Sequence, residues 1–176
     1  MIYLIIGTNS SGKSLEAERI ACSLEAIRRY YVATMLIYDE DGRKRVEKHR
    51  KQREGKGFET IEIPFAIDTA LGRMEDKEKS VVLLECISNL VGNEMYENPE
   101  KKELCKLNPD LFADQVAADV RKLTEGVKDT VIVTNEFNAD KNSDEMTRLY
   151  IQLCSMVNER IKTFADKVIC IKKETA

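Results

Sequence analysis

The chain has 176 residues, 43% of them hydrophobic and 34% charged, with a formal net charge of -3. That length suits a single domain spanning 1–176 with a substantial core, and the composition excludes a disordered chain. The slightly acidic balance gives no overall pull toward a polyanion, so no nucleic-acid partner is expected, and no apolar run reaches the length of a membrane span.

Short apolar runs recur along the chain and predict strands at Ile2–Ile6, Arg29–Thr34, Thr60–Ile63, Val81–Cys86, Thr130–Thr134 and Lys167–Ile171. Several are continuous rather than alternating, as expected when both faces of a parallel sheet are covered. Helical patterns fall between them. Lys13–Leu24 follows a glycine-rich turn, and Asp110–Thr124 lines up Leu111, Phe112, Val116, Val120 and Leu123. Asp144–Phe164 repeats apolar residues from Met146 to Phe164 at helical spacing, with Ser143 as the expected N-cap. The alternation predicts an α/β fold with a mostly parallel sheet and flanking crossover helices. Glu97–Pro109 reads as a surface loop. Asn138–Ser143 is a polar loop at the strand end where α/β proteins bind ligands.

The five cysteines are odd in number, widely spaced and free of any C-x-x-C pair, and there is only one histidine. A zinc site is not expected, and a reducing compartment is. Cys86, Cys154 and Cys170 lie in apolar segments and read as small core residues. Met1–Ile6 is apolar but short and has no basic leader, so a cytoplasmic protein is expected.

Gly7-Thr8-Asn9-Ser10-Ser11-Gly12-Lys13-Ser14 matches G-x-x-x-x-G-K-[ST], after an apolar strand and before an amphipathic helix. In that setting the pattern has a mechanism. The glycines let the backbone curl so that successive N–H groups face phosphate oxygens, and the helix adds its positive end. Lys13 reaches the terminal phosphates, and the Ser14 hydroxyl helps to hold Mg²⁺. The fold expected is therefore of the P-loop NTPase kind. Glu85 ends an apolar strand, and in such a fold a carboxylate there completes the metal shell begun by Ser14. Asn135 and Glu136 end another strand, where they either contact a ligand or satisfy loop backbone groups.

His49 sits in an extremely charged run, Arg43 to Arg53. Such a run is commonly a solvated helix face. If it is helical, Arg45, His49 and Arg53 share one face and can cradle phosphates around one imidazole. A neutral imidazole can attack phosphorus and split one transfer into two steps.

Taken together, GTNSSGKS followed by Glu16-Ala17-Glu18, Tyr31-Val32-Ala33-Thr34, and Arg45…His49…Arg53 leading to Thr60 and Glu62 resemble one family. LLECISNLVGNEMY (83–96), VTNE (133–136) and the Val157–Val168 segment extend the match across nearly the whole chain in family order. The family is adenosylcobinamide kinase/adenosylcobinamide-phosphate guanylyltransferase. The resemblance implies two reactions: phosphorylation of the corrinoid adenosylcobinamide by GTP or ATP, then transfer of GMP from GTP to give adenosylcobinamide-GDP. It implies His49 as the residue that carries GMP, phosphate-loop and Mg²⁺ contacts at Gly12, Lys13, Ser14 and Glu85, further nucleotide contacts at Arg45, Arg53 and Glu62, and a homo-oligomer, typically a trimer. The sequence departs from the family pattern at Thr8 and Ser10 in the loop, at Phe58 where tryptophan is usual, along 137–142, and at the end of the chain. Two rivals keep the phosphate loop: a divergent small-molecule kinase, and a nucleotide-binding regulatory module without transfer chemistry.

Overall fold

A computed structural model describes residues 1–138 and 142–172. Six strands, β1 (Ile2–Gly7), β2 (Arg28–Ala33), β3 (Phe58–Glu62), β4 (Ser80–Glu85), β5 (Asp129–Asn135) and β6 (Lys167–Ile171), form one sheet in the order β3-β2-β4-β5-β1-β6. Every neighbouring pair is parallel. The helices are α1 (Lys13–Ser23), α2 (Glu40–Arg53), α3 (Ile87–Tyr96), α4 (Leu104–Leu107), α5 (Pro109–Glu125) and α6 (Glu145–Lys162).

The central strands are apolar because both their faces are covered. Leu4, Ile6, Val82, Leu84 and Ile132 pack toward the side carrying α3, α5 and α6, while Ile5, Val81, Leu83, Val131 and Val133 pack toward α1. The continuous runs in the sequence thus have their physical cause in a sheet buried between two helical layers. β6 is an edge strand, and Cys170 on it is exposed, which corrects its assignment to the core. Cys86 and Cys154 are buried as expected, and Cys105 joins them.

α2 forms for a different reason. Only Gly42 and Arg53 are buried in it, so it has no apolar stripe to hold it. Its ends supply the order. Asp39 caps the helix by accepting from the Gly42 N–H at 2.7 Å; Glu40 and Asp41 fill the first turn and Arg50, Lys51 and Arg53 the last. Those charges match the signs of the helix dipole.

Two further expectations need correcting. Asp144 rather than Ser143 caps α6, through its carboxylate on the Thr147 N–H. Glu97–Pro109 is not a simple surface loop, since Asn98, Lys101 and Cys105 are buried and α4 lies within it. Lys101 pairs with Asp119 at 2.7 Å and Glu94 at 3.4 Å, and Asn98 donates to Glu94. Long-range charge pairing tethers this segment. The loop expected at 138–143 falls partly on residues 139–141, outside the described residues.

Candidate active site

β1 is buried as far as Gly7, where the chain must turn sharply into α1. A Cβ at Gly7 would come within 2.5 Å of Ser11 Oγ and 2.9 Å of the Ile171 carbonyl oxygen, so only hydrogen fits. Gly12 has φ 86°, a left-handed conformation that glycine adopts without steric cost. No side chain caps α1, which leaves its first-turn N–H groups and the positive end of its dipole available to an anion. The Lys13 side chain is buried and folds back to donate to the Thr8 carbonyl at 3.0 Å. Burial pushes its ammonium below the usual lysine range, against the opposing influence of Cys86 and Glu85. Asn9 and Ser10 are exposed at the tip of the loop. Ser11 Oγ is buried and has no hydrogen-bond partner among the described residues.

Glu85, at the end of β4, is where the elements converge. β5 separates β4 from β1, yet α1 reaches across, and the Ser14 hydroxyl donates to Glu85 Oε1. The Tyr31 hydroxyl, from β2, donates to Oε2 at 3.1 Å. Burial and then the Glu85 carboxylate push the Tyr31 phenol far above the usual tyrosine range, so it remains a protonated donor. His49 Nδ1 lies 4.0 Å from Glu85 Oε1. The solvated-face alternative for the charged run therefore does not hold for its inner side.

Arg53 is buried, its guanidinium 3.3 Å above the centroid of the Tyr31 ring, a close cation–π contact. Next to it Glu18 on α1, itself buried, accepts from Gln52 and Lys56 and ties the end of α2 to the nucleotide-loop helix. Arg45, one turn before His49, is exposed and lines a separate open cleft with no contact to the phosphate loop. Glu62 is exposed at the end of edge strand β3, in register with Ala33, and has no side-chain contact with the loop. Of the sequence candidates, the structure thus brings together the loop, Glu85, His49 and Arg53, and leaves Arg45 and Glu62 outside that group.

Sequence reasoning gave no role to Thr34. Its hydroxyl donates to the Cys86 carbonyl and accepts from the Cys86 N–H, both at 2.9 Å, and so fixes the backbone just beyond Glu85. The signal lay in its position at the end of the Tyr31–Thr34 motif. Asn93 was also passed over; its amide donates to the carbonyls of Thr34 and Pro64. Asn135 ends β5 beside Gly7, donates to Ser88 Oγ at 2.6 Å and leaves its own Oδ1 unpartnered among the described residues.

A parallel sheet whose first strand turns through a glycine loop into an uncapped helix, with a carboxylate on a strand one removed, defines the P-loop class of nucleotide-binding folds. Two solved structures share the fold: the flagellar accessory protein FlaH from Methanocaldococcus jannaschii (TM-score 0.53, 18% identity) and an ATPase domain (TM-score 0.54, 11% identity). The similarity covers 96% of this chain in both cases, and 70% and 68% of theirs. Within that class the chain belongs to the cobinamide kinase / cobinamide phosphate guanyltransferase family, which matches residues 3–173. A curated relative, the bifunctional adenosylcobalamin biosynthesis protein CobU of Escherichia coli (strain K12), is 25% identical over 173 residues, or 96% of this chain and 93% of the relative.

Proposed function

We propose that the chain phosphorylates a cobinamide with a nucleoside triphosphate and then transfers GMP to the product by way of His49. The observation that carries this reading is the convergence on Glu85. One carboxylate accepts a hydroxyl of the phosphate loop and faces the only imidazole in the chain at 4.0 Å.

The loop N–H groups and Lys13 hold the phosphates of the triphosphate, and Arg53 adds positive charge from its seat on Tyr31. Ser14 and Glu85 are oxygen donors in direct contact, which suits a hard cation. Among the described residues no cluster of three or more His, Cys, Asp or Glu side chains is arranged to hold a metal. Mg²⁺ would accordingly take these two oxygens and complete its shell with phosphate and water, where it supplies charge neutralisation.

With Nδ1 turned toward Glu85, Nε2 is the free nucleophile. It attacks the α-phosphorus of GTP. A P–N bond forms, the bond to the bridging oxygen breaks, and pyrophosphate leaves with that electron pair. Glu85 stabilises the positive charge that develops on the ring. The cobinamide phosphate then takes the GMP from His49.

Intact-protein mass after incubation with GTP and Mg²⁺ tests the reading. The expected result is a gain of one GMP unit on the wild type and none on His49→Ala. GTP binding without an adduct on the wild type would refute the carrier role and leave the kinase reaction alone.

A further inference from the structure

Beyond the phosphate loop, the end of the sheet carries an open cleft of about 340 Å³. Its walls come from the chain after β2 (Met35, Tyr38), from α2 (Arg45), from α3 (Asn89, Gly92) and from α6 (Tyr150). No residue of the phosphate loop lines it. It adjoins the reacting centre on two sides, since Arg45 sits one helical turn before His49 and the α3 wall begins just after Glu85.

The wall is built rigid. Asn93 bridges two backbone carbonyls, Tyr150 donates to the Ser88 carbonyl at 3.0 Å, and Ser88 Oγ is held by Asn135. The groups left without a structural task are informative. Arg45 and the Asn89 amide have no side-chain partner among the described residues. The Tyr38 hydroxyl donates to Glu97 Oε1 at 3.1 Å, yet the rings of Tyr38 and Tyr96 leave 74% and 46% of the residues' surface open at the rim. Gly92 lies inside α3 with no positive φ to require glycine, and an added Cβ would meet only Tyr150 Cε2 at 3.5 Å. A glycine there costs the helix roughly 0.5–1 kcal/mol relative to alanine. What it provides is an open wall.

We infer that this cleft is the acceptor subsite, and that Arg45 receives the phosphomonoester of the corrinoid acceptor while the Asn89 amide and the tyrosines hold its amide-bearing, largely neutral body. The inference rests on His49 as the GMP carrier. Its chemistry follows from the lining: one cation for one phosphate, aromatic faces for a bulky ring edge, and amides for amides, while the Asp39 carboxylate that also lines the cleft is engaged by the Gly42 N–H. A polyphosphate, by contrast, has its cradle in the phosphate loop. The acceptor phosphate oxygen attacks the phosphorus on His49 and forms a P–O bond. The P–N bond breaks, and its electron pair returns to Nε2, leaving neutral imidazole with its proton on Nδ1.

A two-stage experiment tests this. Each protein is loaded with GTP and Mg²⁺, freed of nucleotide, and given cobinamide phosphate, and loss of GMP from the protein is followed by intact mass. Gly92→Leu, which fills the cleft without changing charge, is expected to load and then to need far more acceptor for half-maximal chase. Arg45→Ala is expected to load and then to chase roughly 10- to 100-fold more slowly, the range for losing a hydrogen bond to a charged group, with partial recovery in Arg45→Lys. Loading itself reports that each variant is folded. Wild-type chase rates in both variants would overturn the subsite, and so would an Arg45→Ala protein that is folded by circular dichroism yet fails to load, since Arg45 would then serve the nucleotide. A wild type that never loads refutes the His49 reading instead.

Discussion

Thr34 offers a direct test of how the Glu85 strand end is held. Its side chain is fully buried, and one hydroxyl satisfies both the N–H and the C=O of Cys86, each at 2.9 Å. Thr34→Val keeps the shape and removes the hydroxyl. The Cys86 N–H loses its partner, at about 1–3 kcal/mol, while its C=O keeps the bond from the Leu90 N–H at 3.1 Å and loses only the second, at about 1 kcal/mol. Some relaxation of the chain offsets part of this, so we expect a loss of about 2 kcal/mol. With a urea slope of about 2 kcal/mol per molar, the unfolding midpoint falls by about 1 M. The melting temperature falls by roughly 4–8 °C for a chain of this size. Thr34→Ser, which keeps the hydroxyl and loses a methyl group, is the control and is expected to cost about 1 kcal/mol. The assay is equilibrium urea unfolding followed by circular dichroism, with initial rates of GMP loading measured on the same samples. A loss below about 1 kcal/mol in the valine variant, or an equal loss in the serine variant, would refute the argument that hydrogen bonding fixes this corner.

Two further outcomes follow from burial. Lys101→Met strands the fully buried Glu94 carboxylate without its cation and is expected to cost about 3–5 kcal/mol in urea unfolding, most of it recovered by adding Glu94→Gln. Among the thiols, burial pushes Cys154 up to about 12, so at pH 8 only about one molecule in ten thousand presents the thiolate. Peptide mapping after iodoacetamide treatment should find exposed Cys170 modified first and Cys154 at least a thousandfold slower, its rate rising tenfold per pH unit as the thiolate fraction grows. Equal rates for the two would contradict the burial assigned to α6.

Much of the fold was legible because a doubly covered parallel sheet writes itself as apolar runs, and all six strands lie within two residues of the runs that announced them. Apart from the short α4, α3 was the helix that the sequence hid. β4 runs into it through Cys86 with no glycine or proline between, so LLECISNLVG reads as one apolar stretch with its period obscured. Cys170 was misjudged for another reason. Its neighbours in sequence are apolar, but exposure depends on the strand being an edge, which is fixed by pairing with residues more than 150 positions earlier. At the site, the phosphate loop and Glu85 were readable from local pattern, and His49 from its isolation and the family resemblance. The distinct surroundings of Arg45 and Arg53 were not. Both sit on the helix face of His49, but only the fold puts Tyr31 beneath one and an open cleft beside the other.

The pairing of β1 has a consequence for how the chain is made. Of the six strands β1 leaves the ribosome first, yet its two neighbours in the sheet are β5 and β6. The Ile2 N–H is held by Asp166, 164 positions away, and Gly7 turns against the Ile171 carbonyl. The phosphate loop therefore has no fixed shape until almost the whole described chain has been synthesised. Nucleotide stabilises only what it can bind, so it gives the nascent chain no help during elongation. An apolar strand waits unpaired until β5 emerges, the kind of segment that chaperones engage. Loss of β6 by truncation would accordingly disable the nucleotide site at the opposite end of the sequence before it disturbed the packing of α3 and α5.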